Sequence, residues 1–222
     1  KEGKTMATAW IEQLRTDAMS WVQVFGPVKP EIWRQLASSL RKEAHEEFNT
    51  LTASLSRKQQ AVLLQFMNKL EAQFSKVVVL PPSDRYGGHY NQIEDSLSIH
   101  DNKWPLPVRA KIVTHEYTHK VIKGISDLMG RYPSVYANEA IAYYVGIEKV
   151  GAVINISTTA PAIKAAVAGL LQYMFGGDPQ DNDRPMFYGL SEEGMLLMVD
   201  KACLEIEAYF VRVEKTFKDK RI

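Results

Sequence analysis

Only one window of this chain, residues 76–104, reads as β structure, and everything on either side repeats with a helical period. It opens on the β-branched run KVVVLPP, closed by two prolines, and continues through RYGGHYNQIEDSLSIHDNKWP, where Gly87-Gly88 and the alternating SLSIH mark further strands. A window that short makes a small sheet, and helices must supply most of the core. Amphipathic helices are expected over 5–25 (Trp10, Leu14, Met19, Val22), over 31–53 (Ile32, Leu36, Leu40, Phe48) and over 57–74 (Leu63, Phe66, Met67, Leu70). GPVKP separates the first two, and Ser56 with Gln59 opens the third with capping-box spacing. Helices return over 106–124, 134–149, 160–175 and 191–217, the last with Ser191 and an acidic pair at its start. The expected fold is α+β and predominantly helical. A small mixed sheet packs on the helix 106–124, a helical C-terminal lobe follows, and residues 1–75 form an N-terminal helical segment in one compact unit with 76–222.

Composition narrows the function by exclusion. Lys and Arg total 27 against 26 Asp and Glu, interspersed, so no field favours nucleic acid or an anionic membrane. The single cysteine, Cys203, rules out an internal disulfide and any Cys-rich metal site, leaving His and carboxylates as metal ligands; between Ala202 and Leu204 it reads as a small core residue. No stretch approaches the roughly 20 apolar residues of a membrane span, so a soluble chain is expected. It opens on Lys1 rather than Met, the pattern of a removed export signal, which favours a periplasmic or secreted compartment.

The residues with the most chemistry lie in IVTHEYTHKVI, 112–122. On a helix, positions four apart lie about 40° apart around the axis, so His115 and His119 can reach one cation from the same side. Val108, Ile112 and Ile122 share that side, which places the imidazoles on an apolar face, where the floor of a cleft would hold a metal. Glu116 is turned away from the mean direction of the two histidines, poorly placed as a ligand but able to meet a water on the metal. Its bland alternative is a surface ion pair with Lys120. A third ligand is available in YPSVYANEAIAYYVG, where Glu139 has Val135, Tyr136, Ala142 and Tyr143 as its helical neighbours. A carboxylate buried unpaired on an apolar face is costly, and a cation is the natural compensation. Ala142 and Gly146 keep that face thin enough for a second helix to approach.

HEYTH followed by NEAIAYY, with Glu139 twenty positions after His119, resembles the gluzincin metallopeptidases, of which thermolysin is the best known. The likeness covers about residues 76–150, the minimal catalytic core of that clan, and implies peptide hydrolysis with one Zn²⁺ per chain. It implies His115, His119 and Glu139 as zinc ligands and Glu116 as general base and acid, with 76–222 as the catalytic part. It also implies a peptide or protein substrate lying extended along a sheet edge, with DSLSIH expected as that edge. Two positions depart from the thermolysin pattern. Tyr143 stands where those enzymes have an aspartate orienting the first histidine, and no histidine follows His119 to steady the transition state. Some gluzincins use a tyrosine there, and Tyr188 in MFYGLSEEG is the expected donor, ahead of Tyr144, Tyr173 and Tyr209. GGHYN lacks the acidic residue with which clan aminopeptidases hold a free amine, so an endopeptidase is expected over an aminopeptidase. The alternative from another class is a non-catalytic, zinc-containing peptide-binding module, a pseudopeptidase. His89 and His100 remain as residues that could line the cleft.

Overall fold

The computed structural model describes residues 6–84, 87–177 and 189–219. Helices α1 (Met6–Phe25), α2 (Pro30–Leu51) and α3 (Arg57–Glu71) lead into strands β1 (Lys76–Leu80), β2 (Gly88–Asn91) and β3 (Ser96–His100). Helices α4 (Leu106–Met129), α5 (Val135–Ile154), α6 (Thr159–Leu171) and α7 (Glu192–Asp219) follow among the described residues, with a π-helical turn at Gln172–Gly176 after α6. The fold is predominantly helical α+β with one small mixed sheet.

Local chemistry sets the ends of these elements. Pro30 occupies the first turn of α2, where its missing N–H costs nothing. The Ser56 box at the start of α3 is complete: Gln59 N–H donates to Ser56 Oγ at 3.1 Å and Ser56 N–H to Gln59 Oε1 at 2.9 Å. The Gln59 amide also donates to the Ile154 carbonyl at 2.8 Å, tying α3 to the last turn of α5. In α2 the buried stripe is Trp33, Ala37, Leu40, Ala44 and Phe48, so the inward face is rotated from the expected one and Ile32 stands 40% exposed. Helix α4 runs past Gly124 and ends at Gly130, whose φ of +67° closes it in the left-handed region.

The sheet order is β1-β3-β2, with β1 parallel and β2 antiparallel to β3. DSLSIH therefore supplies the central strand rather than the expected edge, and Ser96, Leu97 and Ile99 are buried there. The free edge on the side of α4 is β2. Two apolar clusters meet at α5. One joins α1, the first half of α2, α6 and α7; the other joins the end of α2, α3, β3 and α4. The N-terminal helices contribute to both, through Trp10, Leu14 and Trp33 to the first and through Phe48, Leu63 and Met67 to the second. Cys203 is buried on α7 in the first cluster, and burial pushes its thiol up to about 11.

Candidate metal centre

Helix α4 presents His115 and His119 one turn apart, their Nε2 atoms 3.1 Å from each other. Helix α5 brings Glu139 onto the same point, with Oε1 3.4 Å from His119 Nε2 and Oε2 3.6 Å from His115 Nε2. Gly146 makes that approach possible: a Cβ there would meet the Cβ of His115 at 3.2 Å and its backbone N and Cα at 3.3 Å. The three side chains are 16%, 17% and 18% exposed, sunken but reachable by an ion from solvent.

These separations can be tested against a metal. Ligand bonds of about 2.0–2.1 Å in a tetrahedron require donor atoms about 3.3–3.4 Å apart, which 3.1, 3.4 and 3.6 Å bracket. Two imidazole nitrogens and one carboxylate are a donor set that several divalent metals accept. The tautomer of His119 is set from behind, where its Nδ1 lies 2.8 Å from Asn138 Oδ1, leaving the Nε2 lone pair for a cation. Burial works to raise the Glu139 pKa. The close approach of His115 and the electrostatic influence of His119 and Arg41 outweigh it and hold the carboxyl below its ordinary range.

Glu116 lies beside these three without joining them. Its residue is 7% exposed, and its Cγ would be 3.5 Å from a Cβ at Gly88 on β2. Burial pushes its carboxyl up to about 7, with Glu139 adding to the rise and His119 and the Tyr90 backbone N–H opposing it. The surface pair with Lys120 does not form, because Lys120 Nζ instead meets both carboxylate oxygens of Asp95, at 2.7 and 2.8 Å. His100 N–H donates to the Gly87 carbonyl across the ladder, so by antiparallel alternation the backbone groups of Gly88 and Tyr90 point away from β3. The outward edge of β2 thus faces the Glu116 carboxylate.

Tyr143 fills the place beside His115. Its ring meets the imidazole edge-on, centroids 4.5 Å apart and planes at 61°, and lies against Gly169 on α6, where a Cβ would come within 2.6 Å of Tyr143 Cδ2. Arg41, reaching across from α2, donates from Nη1 to the Tyr143 hydroxyl at 3.1 Å and from Nη2 to Gln172 Oε1.

Among the other singled-out residues, His89 is exposed on β2 and the His100 ring bonds the Pro81 carbonyl at 2.7 Å; neither joins the group. Tyr144 stacks on Trp10 at 4.0 Å and Tyr209 is buried on α7, while Tyr173 lies in the field of Arg41. Tyr188 lies outside the described residues. Sequence reasoning passed over Asn138 and Arg41. Asn138 adjoins the proposed ligand, and Arg41 sits between the buried Ala37 and Ala44, a cation on an apolar stripe.

No family model, no curated protein and no solved structure matches this chain.

Proposed function

We propose that this chain is a zinc-dependent peptidase, with His115, His119 and Glu139 holding the metal and Glu116 acting as general base and acid. The observation that carries the proposal is the convergence of the two Nε2 atoms and the Glu139 carboxylate within 3.1–3.6 Å, beside a buried fourth side chain that ligates nothing. Zinc held by three protein ligands supplies Lewis-acid polarisation of a carbonyl and lowers the pKa of water towards neutrality.

The remaining chemistry belongs to the protein. A buried carboxyl held beside the three ligands without joining them is placed to take a proton from an attacking water and return it to the leaving amine. A purely structural site has no use for such a group, which favours hydrolysis over metal-dependent folding alone. An extended peptide fits the outward edge of β2, where the Gly88 backbone offers strand-type hydrogen bonds next to Glu116. Gly87 and Gly88 have no side chains there, and a Cβ on either would come within 3.0 Å of Ile112. Asn138 fixes the proton of His119 on Nδ1.

The test compares wild type with Glu116→Gln, both zinc-loaded, on a general peptide library with free and acetylated amino ends. Glu116→Gln should keep its metal and lose about 10²- to 10⁴-fold in cleavage. Cleavage of acetylated peptides by wild type separates endopeptidase from aminopeptidase. Equal cleavage by both proteins rejects Glu116 as the base, and a zinc-loaded wild type that binds peptides without cutting any is a binding module.

A further inference from the structure

We propose that Arg41, on α2, is a positioning residue of the metal site, acting through the Tyr143 hydroxyl to fix the ring that sets the orientation of His115. The inference rests on the metal-binding reading of His115, His119 and Glu139 and gives the N-terminal helices a part in it.

The two histidines are oriented by different means. His119 has a polar clamp, its Nδ1 paired with Asn138. The Nε2 of His115 faces His119 and Glu139, but among the described residues nothing hydrogen bonds its Nδ1, so the back of its imidazole is held by packing. Gly146 closes on its backbone from one side, and the Tyr143 ring meets its edge at 4.5 Å. A ring can hold an imidazole in place only if it is itself held. Gly169 gives Tyr143 a floor that admits no side chain, and Arg41 holds its far end by the 3.1 Å hydrogen bond to the hydroxyl. The guanidinium is fixed in turn by Gln172 in the π-helical turn and lies 5.8 Å from the centroid of the Tyr143 ring. Its other role, an ion pair, is not taken: among the described residues no carboxylate lies within 4 Å of Arg41. A planar fork that grips two fixed oxygens loses few degrees of freedom in doing so, which suits a clamp better than a flexible ammonium would. Helix α2 packs along α6 and the π-helical turn, so the clamp is anchored on the same elements as Gly169 and Gln172.

The perturbation is read on metal binding. Full-length wild type, Arg41→Met, Arg41→Lys, Tyr143→Phe and the double variant Arg41→Met/Tyr143→Phe are titrated with zinc against a chelator and with cobalt(II), whose visible bands report coordination geometry. Loss of a group that orients a ligand typically weakens binding by about 10- to 100-fold. Arg41→Met and Tyr143→Phe should each do so and shift the cobalt bands, Arg41→Lys should lie between Arg41→Met and wild type, and the double variant should be no weaker than the worse single, since both remove one link. Wild-type affinity in Arg41→Met, or a double variant that loses the product of the two single effects, overturns the inference while leaving the metal site intact. A wild type that takes up neither metal overturns both. Should metal-free Arg41→Met fail to fold, Arg41→Lys and Tyr143→Phe decide the matter, with unchanged affinity in both overturning it.

Discussion

Replacing Glu116 with glutamine should stabilise the metal-free protein at neutral and alkaline pH, although it removes the residue proposed to do the chemistry. Glu116 is 7% exposed, and its carboxyl is pushed from 4.5 to about 7 by burial in the folded state. Between those two values the folded chain holds a proton that the unfolded chain releases, so stability falls as pH rises. The contribution is full below the unfolded value and gone once pH has passed the folded one. At about 1.4 kcal/mol per pH step the whole passage is worth about 3 kcal/mol, and between pH 5 and pH 8 about 2–3 kcal/mol of it is lost. Glutamine keeps the shape, has no charge to desolvate and still offers an oxygen to the Tyr90 N–H. Urea unfolding of both proteins in chelator at pH 5 and pH 8 reads the effect, because the titrating groups remote from Glu116 are common to the pair and cancel. The stability of Glu116→Gln relative to wild type should rise by about 2–3 kcal/mol from pH 5 to pH 8. An equal difference at both pH values would refute the reasoning and with it the picture of Glu116 as a desolvated carboxyl.

Two further substitutions test the scaffold around the ligands. Asn138→Ala should leave the fold intact and weaken zinc binding by about 10- to 100-fold in a chelator competition, since it frees the His119 ring; unchanged affinity would remove Asn138 from the site. Gly146→Ala pushes a Cβ to 3.3 Å from the His115 backbone, which cannot yield as a side-chain tip can. It should cost about 1–3 kcal/mol in urea unfolding and weaken zinc uptake as α5 moves off α4.

The helices that bring His115, His119 and Glu139 together were legible because periodicity and chemistry agreed: His115 and His119 four apart on an apolar face, and Glu139 ringed by Tyr136, Ala142 and Tyr143. The thin face at Gly146 was legible for the same reason. Strand order was not. KVVVL has the strongest β propensity, yet β1 is an edge with Val79 61% exposed, whereas SLSIH, half polar, is paired on both sides. Branched side chains favour an extended backbone wherever it lies. Which strand is central depends on the parallel pairing of β1 with β3 across the intervening β2, and no local pattern records that pairing. The end of α4 was misplaced because Gly124 resembles a stop. Nothing lies within 4 Å of the Cβ position there, and the helix continues to Gly130, where a positive φ does require glycine. Arg41 was beyond reach for a different reason: its partner Tyr143 is 102 positions away, and an arginine on a mostly apolar stripe points to no particular partner.

The central claim is that His115, His119 and Glu139 form one metal site, and elemental analysis of the purified full chain tests it most directly. Wild type, incubated with zinc and freed of excess by gel filtration, should retain about one zinc per chain, as a single site with three protein ligands demands. His115→Ala and Glu139→Ala should each retain almost none, while Glu116→Gln and His89→Ala retain the full amount. Well under one zinc per chain in wild type, or full retention by Glu139→Ala, would contradict the account.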